Sequence, residues 1–244
     1  DSVVLQRYKT QVTHCLDHRD PSIRRRALDV VAALIDESNV ESLVPEVMSY
    51  LHLADQDFRA ELVAKVFTAI QTFAPNPKWQ FDSTLELLIQ SGSYVGQDII
   101  TSVCLLVAKH AEIRQHVLSA LYKAVLENIS NQPLIQVAVW SIGEFQEERD
   151  DSIELFSRIL KMPQTSIDSR GAIITAVAKL AVRFDRVDDV LNTLAEVARD
   201  QNLEIQQRTG EMGRILSCPN IRDALLAPLE YEAVTNASLP TSTS

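Results

Sequence analysis

Apolar residues between Asn131 and Gln146 recur at helical spacing on more than one side of a single helix. A helix that is apolar over so much of its circumference must be covered by neighbours on two or three sides. Pro133 suits the first turn of this helix, where its missing N–H costs nothing. Gly143 lowers helix propensity by about 1 kcal/mol relative to Ala, which indicates close approach of another helix. The pattern predicts an inner helix of a stacked array. Trp140 and Ile142 on this helix, and Ile174 on the helix after Ser166, should be buried between the layers.

A similar pairing, of an apolar residue with a second residue four positions later, returns six times along the chain. Successive first members are 33 to 39 residues apart, and each interval holds two helical patterns. Periods in the high thirties with two helices each are typical of HEAT and armadillo solenoids. The pairs are Ile23 with Ala27, Phe58 with Leu62, Val95 with Ile99, Leu134 with Ala138, Ile167 with Gly171, and Ile205 with Thr209.

Start and stop signals divide the chain into about thirteen helices. Asp20 and Ser166 are predicted N-caps, and Ser38 and Ser83 each stand three residues before a glutamate, the spacing of a capping box. The predicted segments are 3–16, 21–35, 38–53, 57–73, a helix ending at Gly92, 94–110, 112–128, 132–146, 152–162, a helix that follows Ser166, 188–199, 203–216 and 221–233.

These patterns predict an all-α fold, a right-handed and gently curved α-solenoid of HEAT/armadillo-like helix pairs. The solenoid should span residues 1–234. Residues 235–244 change to small polar residues plus Pro, which is typical of the start of a flexible linker.

The composition agrees with a helical scaffold. Of 244 residues, 46% are hydrophobic and only 6 are Gly, which is too few for a loop-rich β fold. The net charge of −10 argues against nucleic acid as the main partner, because phosphate neutralisation needs clustered Lys and Arg. Cys15, Cys104 and Cys218 are far apart, as expected of buried thiols in a reducing compartment. The longest apolar run falls well short of the roughly 18 residues that span a bilayer.

The sequence contains little that points to catalysis, and we expect neither an enzyme nor a cofactor. No phosphate-cradling glycine motif is present. His14 and His18 have the i,i+4 spacing of a metal pair, but no third ligand is evident. A position near a helix C-terminus explains His18 better. The acidic stretch 147–151 lies in a turn with no pocket-forming residues nearby in sequence.

Two short stretches are candidates for contact with a partner. Arg24 and Arg25 belong to the one basic run, where pairing of Arg25 or Arg26 with Asp29 on the same helix predicts a solvated face and leaves a partner or lipid contact as the alternative. Lys78 and Trp79 follow a loop with two prolines. Packing at a helix start explains Trp79 best, and anchoring of a partner is the alternative.

Several of these stretches, taken in order, resemble the gamma-adaptins, the gamma large subunits of clathrin adaptor complex one. The resemblance covers roughly residues 6–229. The matching stretches are 23–27, 73–75 with Lys78 and Trp79, 92–95, 121–124, 132–138 with 140–144, and 204–208. One departure is the short link after Phe145, where such chains often hold a longer acidic insert.

The resemblance implies the C-terminal half of an adaptin trunk, a helical solenoid that assembles with a second large chain, a medium chain and a small chain. It further implies vesicle-mediated, cargo-selective transport in the cytoplasm, on the cytosolic face of trans-Golgi, endosomal and clathrin-coated vesicle membranes. Membrane association would be peripheral and through the complex. Contacts with clathrin and a small GTPase are expected from other parts of the full-length protein.

Another helical-repeat scaffold, such as a nuclear transport receptor or a phosphatase scaffold, is the alternative. A long hinge with clathrin-box-like motifs downstream would favour the adaptor, whereas further repeats without a hinge would favour the scaffold.

Overall fold

The computed structural model describes Cys15 and residues 18–54, 56–148 and 151–227. Within these ranges the chain forms twelve α-helices and no strand. Three 3₁₀ turns, Leu51–Leu53, Gly92–Tyr94 and Ala111–Ile113, lie between them. The helices are α1 (Pro21–Ala33), α2 (Val40–Ser49), α3 (Gln56–Phe73), α4 (Pro77–Ser91), α5 (Gln97–Lys109), α6 (Arg114–Glu127), α7 (Gln132–Phe145), α8 (Asp151–Leu160), α9 (Ile167–Arg183), α10 (Val187–Val197), α11 (Leu203–Leu216) and α12 (Pro219–Leu225).

The helices stack in two layers, as the repeated pairs predicted. Odd-numbered helices pack on one another, α5 on α7, α7 on α9 and α9 on α11, and form the odd layer. Even-numbered helices form the even layer, in which α4 packs between α2 and α6. The six sequence pairs fall in or at the start of the odd helices. The all-α solenoid is thereby confirmed, whereas its right-handed sense stays a prediction.

Helix α7 lies at the centre of the stack. It packs against α5, α6 and α9 and also touches α4. Leu134, Ala138 and Ile142 are buried on it. Asn131 caps the helix by accepting a hydrogen bond from the backbone N–H of Leu134 at 3.2 Å, and Pro133 occupies the first turn. The prediction of a helix covered on several sides is confirmed.

Gly143 marks the closest approach between α7 and α9. A Cβ built on Gly143 would lie 2.8 Å from the Cβ of Ala176 and 3.1 Å from its Cα. Real side chains do not tolerate the shorter of these distances, so a larger residue at position 143 would push the two helices apart. Glycine at position 143 lowers the helix propensity of α7, but it allows α7 and α9 to pack closely in the odd layer.

The expectation that Trp140 is buried between layers is wrong, although Ile142 is buried with 1% of its surface exposed. Trp140 is half-buried and meets Phe145 edge-on, with ring centroids 5.7 Å apart. The α7–α9 seam closes on glycine and alanine, and a seam of that width has no room for an indole. The ring is partly exposed instead.

Polar contacts link helices one repeat apart. Lys179 on α9 forms an ion pair with Glu144 on α7, with only 11% and 6% of the two side chains exposed. Arg183, one turn further along α9, donates to the backbone carbonyls of Glu144 at 3.0 Å and Gln146 at 2.7 Å. Burial lowers the pKa of the Arg183 guanidinium. These bonds satisfy carbonyls at the C-terminus of α7 that have no partner within the helix.

The helix ends test the capping predictions. Asp20 and Ser166 accept hydrogen bonds from the backbone N–H groups of Ser22 at 2.9 Å and Ser169 at 3.2 Å, as predicted. Ser38 is not a cap, because its hydroxyl donates to Asp36 and α2 begins two residues later.

The spacing at Ser83 also does not mark a helix start. Ser83 lies inside α4, which begins at Pro77 after the cap residue Asn76. Gly92 ends α4 with φ of +53°, as the predicted stop required.

The two terminal predictions have different outcomes. Segment 3–16 lies outside the described residues apart from Cys15, which is half-buried against the core. The last helix was expected at 221–233 but runs from Pro219 to Leu225. Pro219 suits the first turn and starts the helix earlier than the apolar pattern indicated. Residues 228–244, with the predicted linker, lie outside the described residues, and the domain division stays a prediction.

Candidate partner-binding surface

The basic run on α1 belongs to a ladder of charges between α1 and α3. Arg25 contacts Glu61 at 3.1 Å, Lys65 contacts Glu61 at 2.8 Å, and Lys65 also pairs with Asp29. Between 38% and 52% of each side chain is exposed. Arg25 also lies over the ring of Phe58, 4.8 Å from its centre. The ladder is a solvated face, in agreement with the prediction, but its pairs join two helices.

The predicted pairing of Arg25 with Asp29 on one helix is therefore wrong. Each of these residues finds its partner 36 positions later, Arg25 in Glu61 and Asp29 in Lys65. That separation equals one repeat, so the partner lies at the same level of the next odd helix. A search for opposite charges one repeat apart finds both pairs.

The ion pairs of the ladder shift the pKa values of two of its residues, Glu61 and Lys65. Lys65, and after it Arg25, lower the pKa of the Glu61 carboxyl below its ordinary value. Asp29, with Glu61, raises the pKa of the Lys65 ammonium. All of these groups face solvent, where water and salt screen the pairs and leave them a small share of stability.

A groove of about 810 Å³ runs along α1 and α3 beside the ladder. Its walls carry mainly small and apolar side chains. Val30, with 49% of its surface exposed, is the largest exposed apolar residue among them. The lining consists of Asp29, Val30, Ala32, Ala33, Ile35, Glu61, Ala64, Lys65, Thr68, Ala69, Thr72 and Phe73.

Arg24 serves the helix start. Its guanidinium donates to the backbone carbonyls of His18 at 2.8 Å and Arg19 at 3.1 Å, which fixes the chain that enters α1. The side chain is half-buried. Arg24 and Arg25 are adjacent in sequence, but Arg25 faces α3 and Arg24 faces the preceding chain.

The second candidate pair begins α4. The backbone N–H of Trp79 donates to the side chain of Asn76 at 2.9 Å, and the half-buried indole packs against the core. Packing at the helix start is thus what the structure shows for Trp79. Lys78 is exposed on the first turn. No described contact joins Lys78 and Trp79 to the ladder on α1.

Two further depressions lie near the C-terminal end of the stack. One, of about 550 Å³, contains the pair Arg170–Asp200 and the pair Lys161–Glu196 at 2.6 Å. Arg170, and after it the backbone of Asn202, hold the pKa of Asp200 below its ordinary value. The other, of about 470 Å³, lies between α10 and α11 and includes Cys218. Cys218 is exposed, so the expectation of a buried thiol is wrong for this residue.

The described residues give little support for a metal site or for a reactive cysteine nucleophile. No group of three or more His, Cys, Asp or Glu side chains there has the arrangement of a metal site. His18 accepts a hydrogen bond from the backbone N–H of Asp20 at 3.0 Å, and His14 lies outside the described residues. Burial raises the pKa of the Cys104 thiol to about 12, which keeps it protonated and unreactive at neutral pH.

The acidic link carries no described catalytic pair. The carboxylate of Asp151 accepts a hydrogen bond from the hydroxyl of Tyr122 at 3.0 Å, and Asp150 lies outside the described residues. No helix in the described part of the chain is long and apolar enough to cross a bilayer.

The fold and these surfaces define a helical-repeat protein of the scaffold class. Residues 2–220 match the family described as the adaptin N terminal region, and the chain belongs to this family. Gamma-like 2 of the mouse AP-1 complex is 32% identical over 230 residues, which cover 86% of this chain and 29% of that subunit. The AP-1 gamma subunit of Dictyostelium discoideum is 29% identical over an alignment of 271 residues, which covers 100% of this chain.

The likeness extends to a second adaptor class. The AP-2 alpha-2 subunit of Dictyostelium discoideum is 34% identical over 144 residues, or 59% of this chain and 15% of that subunit. The chain spans about 30% of the AP-1 gamma subunit of the same organism. The similarity therefore identifies the family, and it covers only one part of these longer relatives.

Proposed function

We propose that the chain is a non-enzymatic scaffold segment of the gamma large subunit of an AP-1-type clathrin adaptor complex. The observation that carries this proposal is the match to the adaptin family over residues 2–220, which includes eleven complete described helices. The odd and even layers share one hydrophobic core, as expected of a stacked helical-repeat scaffold. This family match favours the adaptor over the alternatives, a nuclear transport receptor or a phosphatase scaffold.

In this proposal the segment assembles with the other adaptor subunits, a second large chain, a medium chain and a small chain. The relatives named as AP-1 subunits support assembly of this kind. The complex would act peripherally on the cytosolic face of trans-Golgi and endosomal membranes in vesicle-mediated transport. Clathrin and a small GTPase would bind through parts of the full-length protein outside these residues.

We assign different roles to the four candidate contact residues. Arg25 and Lys78 are exposed and are proposed to contact partner chains. Arg24 and Trp79 are half-buried, bonded or packed within the solenoid, and are proposed to hold the two exposed residues in place. The exposed charges would act mainly on specificity and on the rate of association.

Coexpression with the other three adaptor chains tests the proposal. The chain should coelute with them in gel filtration. Arg25→Glu and Lys78→Glu should each weaken coelution, whereas Lys123→Glu, a reversal at a side chain that is 78% exposed on α6, should not. Melting curves establish that each variant is folded. Failure of the unaltered chain to coelute would contradict the function, and coelution that both reversals leave intact would contradict the contact residues alone.

A further inference from the structure

The direct packing of successive odd helices is interrupted between α3 and α5. Odd neighbours on either side of this place pack directly, α1 with α3 and α5 with α7. Helices α3 and α5 make at most a weak direct contact with one another. The 3₁₀ turn Gly92–Tyr94 lies there instead and contacts α3, α4 and α7. The layer therefore consists of an upstream block, α1 and α3, and a downstream block, α5 to α11, joined through a turn.

The even layer is continuous at the same level. Helix α4 packs against both α2 and α6, and its side chains Phe81, Leu87 and Leu88 are completely buried. A stack that is continuous on one side and interrupted on the other bends most easily about the continuous side. Here that side is α4.

The turn itself has the backbone features of a joint. Gly92 adopts φ of +53°, a region that other residues rarely enter. Gly96 is the N-cap of α5, and a Cβ on it would collide with the carboxylate of Asp98. Glycines thus stand on both sides of Tyr94, where a few backbone torsions can absorb a rotation of the blocks.

Arg59 and Tyr94 form a side-chain contact at the joint. The guanidinium of Arg59, on the first turn of α3, lies over the ring of Tyr94, 5.0 Å from its centre. Arg59 is fixed to the upstream block, because it donates to the backbone carbonyls of His52 and Ala54, each at 3.0 Å. The stack therefore ties the turn to the upstream block with a cation–π contact of modest strength.

The junction between α7 and α9 is built in the opposite way. Gly143 touches Ala176, and the buried pair of Glu144 and Lys179 lies one residue further along α7. Arg183 adds two hydrogen bonds to α7 carbonyls. Separating these helices would break the ion pair, remove the carbonyl partners of Arg183 and open the close Gly143–Ala176 contact, so this seam should be rigid.

We propose that the solenoid has a hinge at residues 92–96, which varies the separation of α3 and α5 about α4, and that the contact of Arg59 with Tyr94 stabilises the state with the smaller separation, here called the closed state. The curvature of the odd layer would then change at this junction, while the directly packed odd helices α5 to α11 move as a rigid body. A ligand or partner that contacts both blocks would select one curvature.

Distances between spin labels on the 244-residue chain test the hinge. One pair, Thr68→Cys and Thr101→Cys, spans α3 and α5. The control pair, Thr101→Cys and Asp168→Cys, spans α5 and α9. All of these positions are exposed, and the native cysteines are replaced by alanine in both backgrounds. Melting curves establish that the labelled chains are folded.

The hinge predicts a broader distance distribution for the α3–α5 pair than for the control pair. Tyr94→Ala removes the contact with Arg59 and should change the ratio of open to closed populations by about two- to fivefold, the range for an exposed cation–π contact. Tyr94→Phe keeps the aromatic face and should behave as the unaltered chain. Equally narrow distributions in the two pairs would overturn the proposal. So would an α3–α5 distribution that Tyr94→Ala leaves unchanged, or equal broadening of both pairs.

Discussion

Substituting alanine for glycine should have opposite effects at two places in this solenoid. On an isolated helix the change stabilises by about 1 kcal/mol, because alanine has the higher helix propensity. At Gly210, inside α11, a new Cβ meets no atom within 4 Å, so Gly210→Ala should realise most of that gain. At Gly143 the new Cβ would lie 2.8 Å from the Cβ of Ala176 and 3.1 Å from its Cα. The second atom belongs to the backbone, so the helices themselves must shift.

Overpacking of this kind costs about 1–3 kcal/mol, which exceeds the propensity gain. We therefore expect Gly143→Ala to lower the free energy of unfolding by about 1 kcal/mol net, where Gly210→Ala raises it by a similar amount. Urea unfolding of the two variants measures the difference as midpoints that move in opposite directions.

A double variant identifies the cause. Ala176→Gly removes the methyl group that Gly143→Ala would strike, so the two substitutions together should cost less than the sum of their separate costs. If Gly143→Ala raises the urea midpoint as Gly210→Ala does, the close α7–α9 seam is not a packing constraint, and the reasoning is refuted.

Three further outcomes are expected. Lys179→Met removes the ammonium group that pairs with the buried carboxylate of Glu144 and should cost about 3–5 kcal/mol in urea unfolding; a cost below about 1 kcal/mol would contradict the buried pair. Because the folded pKa of Glu61 is lowered, its contribution to stability is present above the ordinary value of 4.5 and is lost as pH falls through the folded pKa. The stability difference between the unaltered chain and Glu61→Gln should therefore fade in acid, and one that grows in acid would refute the ladder. At pH 7 iodoacetamide should modify exposed Cys218 well before Cys104, whose pKa is raised to about 12. Mass spectrometry of the peptides measures the order, and earlier modification of Cys104 would contradict the prediction.

The sequence was sufficient for the helices and their layering. Periodic apolar positions and the pairs one repeat apart depend on burial, which the local pattern records. Glycine at position 143 likewise predicted a close contact, since a helix-breaking residue inside a strongly apolar helix needs a packing reason.

Side-chain partners across the layers were harder to predict. Arg25 and Asp29 have the spacing of a pair on one helix, yet each pairs with the next odd helix. Residue spacing along one helix cannot show whether a charge pairs within that helix or with the next odd helix, because the distance between the helices decides between the two. Trp140 fails for a related reason: its apolar character predicts burial, but the width of the seam is set by the residues opposite it.

The candidate surface is the least predictable part. Groove and ladder arise from two helices about 36 residues apart in sequence, and no motif encodes a shape that two separate segments form. The basic run drew attention to Arg24 and Arg25, but the sequence did not separate the residue that holds the helix start from the one that faces solvent.

Purification of the full-length natural protein from its own cells tests the central claim most directly. A tagged copy expressed at native level would be isolated, and the bound chains quantified by mass spectrometry. The account predicts three partners in near-equal amounts: a second adaptin large chain, a medium chain and a small chain. Recovery of a phosphatase catalytic subunit, of nuclear transport cargo, or of the protein without adaptor chains would contradict it.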